Sequence, residues 1–534
     1  MNPHLLSILI FLPLLAAVVM LLIPTVQKAA YKYIALVTGG LQLLLSGYMY
    51  YRFHPKGAGI TEERLYQFKE HLPWIRLDMG GMGRLEIDYF IGVDGLSMPF
   101  LFLTALIMII AIGASWNMQK QLKGYFVLLM ILNMAVMGVF SALDFFLFYV
   151  FYELMLLPLY FLIGIWGGAR REYAAIKFFL YTLFGSVFML LVIVGLYFSV
   201  TNPETGAHTF NMLHMMDPGN YAPNSLFSWL AENQLFGVPA RLLAFIVLFV
   251  AFAIKVPIVP LHTWLPDAHV EAPTPISIIL AGILLKIGGY GILRICFGIF
   301  PDMALQSAWW LGLIGVVSIL YGAFVALAQR DLKRMIAYSS VSHMGFVLLG
   351  AASLTAEGLA GGIFQMISHG FLSAALFFLV GVLYDRVHDR DIYHFRGLAS
   401  TMPRYTALVA MTFFASLGLP GFSAFIGEAF VIIGTFNSES AHGVLPRWMA
   451  IAGSVGILLS AAYFLWTLQR MFFGQPRFKG GQEWLAVLKD TSTRETLIML
   501  PMLMLALTLG IYPAFALEKI NASVLALVSL VTGG

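Results

Sequence analysis

The chain has 534 residues, of which 60% are hydrophobic and 11% charged, with a mean hydropathy of +0.86, a balance that no water-soluble core of this length carries. The net charge of +4 comes from basic residues scattered at the ends of apolar segments and forms no stripe, which excludes a nucleic-acid partner. The single cysteine, Cys296, lies inside an apolar segment and leaves no disulfide framework and no cysteine-ligated metal or iron–sulfur site.

Taken in chain order, about fourteen continuous apolar runs recur, each near the roughly 20 residues that cross a bilayer. They cover residues 4–24, 32–51, 97–116, 123–141, 144–166, 177–200, 240–259, 273–299, 308–328, 334–353, 359–384, 404–434, 447–469 and 494–515. The runs do not alternate as barrel strands do, so the prediction is an all-α integral membrane protein with the lipid bilayer as its solvent. The first run lacks a basic leader and a small-residue cleavage site, and reads as a retained helix.

Loops after odd-numbered runs carry Lys28 and Lys32, Lys120 and Lys123, Arg170 and Arg171, Arg330 with Lys333 and Arg334, Arg386 to Arg404, and Arg470 to Lys489. Loops after even-numbered runs are nearly free of Lys and Arg, apart from the long second loop (52–95), where Glu62, Glu63, Glu70 and Asp78 offset them. Positive loops stay inside, so both termini are expected outside the cytoplasm.

Two runs are interrupted, each beside an ionisable residue. Pro257 and Pro260 follow Lys255, and Pro420 with Gly421 precedes Glu428; proline removes a backbone donor and frees carbonyls one turn earlier. Irregular backbone at membrane depth needs protein or a wet cavity around it, and paired broken helices point to an inverted-repeat transporter. The division expected is 1–122 for three N-terminal helices and a long loop, 123–299 and 300–473 for two five-helix units inverted against each other, and 474–534 for the last helix and tail. Each unit places its broken helix fourth.

Six ionisable residues in the middle of the runs stand out: Glu153, Lys255, Lys286, His343, His369 and Glu428. One charge at the bilayer centre costs roughly 2.5–3.5 kcal/mol even on the lenient insertion scale, so six of them imply a use. Counted from the run starts, Glu153 lies roughly 13 Å deep, Lys286 roughly 20 Å, and His343 and His369 near 15 Å; these depths converge on the midplane and describe a proton path running parallel to the membrane. Glu153 and Lys255 read as a control pair, Lys286 and the two histidines as relays, and Glu428 as the last acceptor. The plainer alternative is a set of buried salt bridges that fix helix positions.

Other signals are weaker. His262, Asp267, His269 and Glu271 can form a cytoplasmic mouth, or a solvated turn; Tyr338, Ser339, Ser340 and Ser342 beside His343 can hydrate a channel, or satisfy helix carbonyls. His208, Met212, His214, Met215 and Met216 match no copper ligand set and read as a partner-facing surface. Gly288, Gly289 and Gly291 sit inside a run, where tight helix packing explains them.

The stretch Leu261-His262-Thr263-Trp264-Leu265-Pro266-Asp267-Ala268-His269, continuing through Glu271 and Pro275 to Leu284-Leu285-Lys286-Ile287-Gly288-Gly289-Tyr290-Gly291, together with Tyr338-Ser339-Ser340-Val341-Ser342-His343-Met344-Gly345, resembles the antiporter-like proton-translocating subunits of respiratory complex I. The resemblance covers essentially the whole chain and implies fourteen helices and a hydrophilic axis. Of the three kinds of such subunit, the Gly427-Glu428 pair and the absence of a long lateral helix make this chain most similar to the chain M kind. The resemblance implies that Glu153 and Lys255 are the control pair, Lys286 the central relay and Glu428 the exit-side residue. It also implies a subunit of an NADH–quinone oxidoreductase in a bacterial inner membrane, flanked by other membrane-arm subunits. NADH, flavin (FMN), the iron–sulfur clusters and the quinone then belong to partner chains, with no cofactor or metal here. A subunit of a multi-subunit cation/proton antiporter, or of a ferredoxin- or hydrogenase-linked complex, shares much of this motif, and a mere spacer between working modules is the rival of a different class.

Overall fold

The computed structural model describes residues 4–55, 60–78, 80, 84–229 and 233–533. Apolar runs become helices because a chain in hydrocarbon must satisfy its backbone internally. The first are α1 (Leu5–Leu22) and α2 (Lys28–Arg52); after a hairpin of β1 (Gln67–Asp78) and β2 (Arg84–Val93) come α3 (Met98–Ala114), α4 (Leu122–Ser141), α5 (Phe145–Leu154), α6 (Leu156–Trp166) and α7 (Arg171–Ser199). A long connection holds α8 (Met212–Met215) and the short pair β3 (Gln234–Leu235) and β4 (Val238–Pro239), and leads to α9 (Ala240–Lys255) and α10 (Trp264–Glu271). One continuous helix contains α11 (Thr274–Ile279), a π-helical turn at Leu280–Leu284, α12 (Leu285–Gly291) and a second π segment at Ile292–Phe297. The rest is α13 (Pro301–Leu327), α14 (Leu332–Ala352), α15 (Ala356–Val387), α16 (Leu398–Thr401), α17 (Pro403–Ser416), α18 (Ser423–His442), α19 (Arg447–Phe472), α20 (Gly481–Val487), α21 (Thr493–Ile511) and α22 (Ala514–Thr532).

Among the described residues, twelve helical segments are long and apolar enough to cross a membrane. Eleven are among the fourteen expected runs. Of the other three, α2 is more polar, with Thr38, Gln42 and Ser46 buried along it, and two are divided by the interruptions. The twelfth segment is α22, in a stretch expected to be tail. Its anchors gather at one end of the bundle: the Tyr50 hydroxyl donates to Phe515 O (2.7 Å), Lys519 Nζ to Phe53 O (2.6 Å), and Gly95 N to Ser523 Oγ (3.1 Å).

The expected all-α chain also contains a β-hairpin, where only a long loop was read. Its strands pair antiparallel, with His71 opposite Phe90 and Arg76 opposite Glu86. Glu70 ties it to α1 by accepting from Ser7 Oγ (2.7 Å) and Ser7 N (3.0 Å), and Leu143 N donates to Phe90 O (2.9 Å) at the start of α5.

Both expected interruptions are present. The chain between α9 and α10 turns through Pro257 and Pro260, and that between α17 and α18 through Pro420 and Gly421, with Gly418 (φ +79°) and Gly421 (φ +98°) in the left-handed region that glycine tolerates. A third break, unforeseen, divides α5 from α6 at Met155, three residues before Pro158, whose missing N–H leaves the Leu154 carbonyl without its helical donor. The most enclosed segments are Thr274–Phe297 and α15, which is buried throughout residues 361–383, with α14 nearly as enclosed. These three hold Lys286, His369 and His343.

Candidate functional site

Four of the six expected residues form one buried chain. Lys286, fully buried, directs Nζ to Ala281 O (2.5 Å) and to His369 Nδ1 (2.8 Å). Its helix is π-helical on both sides of α12, a distortion that often marks functional positions. The His369 ring lies 5.6 Å, centroid to centroid, from that of His343. His343 Nδ1 is 3.2 Å from Glu428 Oε1, an ion pair when the ring is protonated. Gln365 spans this last contact, with Nε2 3.3 Å from His343 Nδ1 and 3.4 Å from Glu428 Oε1.

The chain keeps unused polar capacity. His369 Nε2, Glu428 Oε2 and Gln365 Oε1 are buried without a hydrogen-bond partner. Gln365 and His369 line a cavity of about 10 Å³ together with Ser339, His343, Ser373 and Ser416, about the smallest space that holds one water. Gly418 is required by this geometry: a Cβ there would stand 2.5 Å from Glu428 Oε2.

Glu153 and Lys255 are neighbours but not in contact. The Lys255 ammonium sits 3.5 Å from the centroid of the Tyr152 ring and 3.4 Å from Met155 Sδ, while Glu153 Oε1 has no hydrogen-bond partner. Lys255 is the last residue of α9, where the helix dipole favours a cation. Its helix meets α12 closely: a Cβ on Gly288 would lie 2.8 Å from Val256 N and from Phe252 O. The glycines of this segment therefore serve packing, as expected.

The residues expected at an entrance divide into two sorts. Asp267 is locked between Lys177 (2.7 Å) and Arg334 (2.8 Å). Both ring nitrogens of buried His262 and His269 lack hydrogen bonds; His269 stacks on Phe377 at 4.2 Å, and His262 lies against Tyr321 and Tyr338. Glu271 lines a cavity of about 770 Å³ shared with Lys333, Asp385, Arg390 and Glu495. Ser342, Ser339 and Ser340 donate to helix carbonyls, of Ile319 for the first and Ile336 for the other two. The Met212, Met215 and Met216 side chains are buried, which corrects the partner-facing reading: the α8 segment folds inward after Asn211 caps it.

Three participants escaped the sequence reading. Gln365 and Tyr152 carry no charge to flag them. Arg294, fully buried in the second π segment, has Nη2 2.5 Å from Asp94 Oδ1, an ion pair by distance though poorly angled for a hydrogen bond; Nη1 donates to the Tyr66 hydroxyl (2.7 Å) and Nε to that of Tyr290 (3.2 Å). An arginine eight residues after Lys286 within one span was the available signal.

A family model described as "NADH:quinone oxidoreductase/Mrp antiporter, TM" matches residues 142–460. The chain belongs to this family. NADH-quinone oxidoreductase subunit M of Rhodobacter capsulatus is 40% identical over 98% of this chain and 96% of its own length. NAD(P)H-quinone oxidoreductase chain 4 2 of Thermosynechococcus vestitus is 38% identical over 99% of this chain and 92% of its own. Among solved structures, a chain of respiratory complex I from Thermus thermophilus with bound NADH superposes with a TM-score of 0.79 at 28% identity, covering 98% of this chain and 99% of that one. A chain of the Mrp complex from Dietzia sp. shares the fold, with a TM-score of 0.78 at 20% identity over 100% of this chain and 98% of that one. This family member is a multi-pass membrane protein of the antiporter-like, subunit M type.

Proposed function

We propose that this chain is the proton-translocating, M-type membrane-arm subunit of a bacterial NADH-quinone oxidoreductase. The observation that carries the reading is the buried chain Lys286–His369–His343–Glu428, in which every polar contact is within hydrogen-bonding reach except the one between the two rings. A relay needs groups at about 2.6–3.2 Å or one water apart, and the cavity between the histidines supports a water there. Glu153 and Lys255 act as a separable pair: the separation seen here is one position, and approach of the Glu153 carboxylate would hold the ammonium charged. Protons enter from the cavity beside Glu271 and Lys333, by way of His269, and leave past Glu428.

In this reading the basic loops face the cytoplasm, and both termini, the hairpin and α22 lie outside. Two inverted five-helix units fit the order of elements, since α9/α10 and α17/α18 each stand fourth in theirs. The other membrane-arm subunits flank the chain, and partner chains hold NADH, FMN, the iron–sulfur clusters and quinone. The 40% identity with a subunit M over nearly the full length favours this parent complex over a cation/proton antiporter, which shares the family model and the fold but matches at 20% identity. The test is NADH-driven proton uptake by inverted membrane vesicles, comparing the native chain with Lys255→Ala at equal complex content. Loss of the gradient with the complex intact is expected; an undiminished gradient would reduce the midplane charges to structural elements and leave the spacer reading standing.

A further inference from the structure

Where α19 runs out, a cavity of about 760 Å³ opens between the segment Tyr393–Arg396 and the chain from Trp466 to Lys479. Its walls contribute Arg396, Arg470, Arg477 and Lys479 and no carboxylate. None of these four cations is ion-paired among the described residues; the nearby acids Asp389 and Asp391 are engaged with His394 and Arg330. The site is built and not a loose basic loop. Arg477 N donates to Arg396 O (3.0 Å) and Lys479 N to His394 O (3.1 Å), which pins its two strands of chain together. The Arg470 guanidinium lies 4.4 Å from the Tyr393 ring centroid, and that ring packs edge-on against Trp466 at 5.8 Å.

Four unpaired cations held together repel one another unless an anion joins them. The rim says what kind. Ile451, Val455, Leu458 and Leu465 are exposed on α19, and at 100° per residue they form one stripe; Phe473, the residue just past the helix, is exposed and lines the cavity. Leu465 lies roughly 10 Å along the axis from the end of α19 at Phe472, within the ~15 Å of one leaflet. An apolar track that leads into a cationic, aromatic-rimmed pocket matches an acyl chain continuous with a phosphate, and clusters of Lys and Arg at a cytoplasmic membrane boundary attract anionic headgroups.

We propose that this cavity binds the headgroup of an anionic phospholipid, with its acyl chains along α19. The site is independent of the proton path. The experiment uses the intact complex in nanodiscs with a photoactivatable phosphatidylglycerol, and maps the labelled peptides. Labelling of residues 393–396 and 466–479 is expected, displaced by unlabelled phosphatidylglycerol and not by phosphatidylcholine or inorganic phosphate. At about 1 kcal/mol per basic residue, Arg396→Gln with Arg477→Gln should weaken the apparent affinity roughly thirtyfold. Equal displacement by phosphatidylcholine, or undiminished labelling of the double variant, overturns the proposal. Displacement by inorganic phosphate alone overturns it in favour of a free-anion site, and no labelling in the intact complex overturns it in favour of a neighbouring subunit over this face. Should the double variant not assemble, the displacement series on the native complex decides.

Discussion

Replacing His369 by leucine tests the proposed relay between Lys286 and His343. The ring bridges Lys286 Nζ, 2.8 Å away, and the His343 ring, 5.6 Å between centroids. Without it Lys286 and His343 lose the ring that stands between them, and transfer there would have to run through water held at about 2.6–3.2 Å per hydrogen bond. The adjoining cavity, at about 10 Å³, takes one water at most, and leucine fills the space the ring leaves. A positioned proton-transfer group contributes about 10²–10⁴-fold to the rate of its step, so transfer past this point should fall by at least about a hundredfold. The variant also takes from Lys286 one of its two acceptors, a loss of about 1.5–3 kcal/mol for a hydrogen bond to a charged group, which the complex can absorb. The assay is proton pumping and quinone reduction measured together in proteoliposomes, with complex content matched on native gels. His369→Gln is the companion, since it restores a hydrogen-bonding side chain near Lys286 without a titrating ring. If His369→Leu moved as many protons per quinone as the native complex, the histidine would be a packing residue and the relay argument would be wrong.

Asp94→Asn strands the buried Arg294 guanidinium; breaking such a pair costs about 3–5 kcal/mol, so the complex surviving mild heating should drop on native gels, and Asp94→Leu with Arg294→Met should recover most of it. Gly418→Ala demands a left-handed backbone at φ +79° and places a methyl 2.5 Å from Glu428 Oε2; pumping should fall while assembly persists, and normal pumping would show that the Glu428 position is not critical. On the hairpin, the Asp88 carboxylate hydrogen-bonded to His71 raises the histidine above its usual range. A raised value in the fold means the contact stabilises fully below the ordinary histidine pKa and fades as pH rises through the raised one. Amide exchange in the hairpin, corrected for its intrinsic pH dependence, should therefore quicken from mildly acidic to mildly alkaline conditions, and His71→Ala should remove that trend.

The helices were legible because apolar runs of spanning length have few alternatives, and the two main interruptions because proline and glycine act locally. What stayed hidden was set by partners distant in the chain. Asp94 and Arg294 stand far apart in sequence, and neither reveals the other. Gln365 is an ordinary neutral residue until α14, α15 and α18 bring His343 and Glu428 around it. The hairpin did carry a signal, the alternation Leu85-Glu86-Ile87-Asp88-Tyr89, which reads as a strand but is easily taken for a charged loop. Glu518 and Lys519 disguised α22 as tail. That Lys255 rests on Tyr152 and Met155 and makes no ion pair with Glu153 depends on side-chain placement, which no spacing rule supplies.

The carboxyl and amino side chains and the histidines are mounted differently. Glu153 is the penultimate residue of α5, Lys255 the last of α9, Lys286 lies between two π segments, and Glu428 sits in the second turn of α18 after the Gly418–Gly421 bend. Glu153, Lys255 and Lys286 stand where the helix is broken or strained, and at Lys255 the free carbonyls at the C-terminal end of α9 can solvate a cation that the hydrocarbon cannot. His343 and His369 stand within the unbroken helices α14 and α15. A neutral imidazole needs no such solvation, and a rigid helix keeps the two rings at a fixed spacing. On the proposed relay, Lys286 thus sits beside irregular backbone, while the two rings that follow it are held by regular helices.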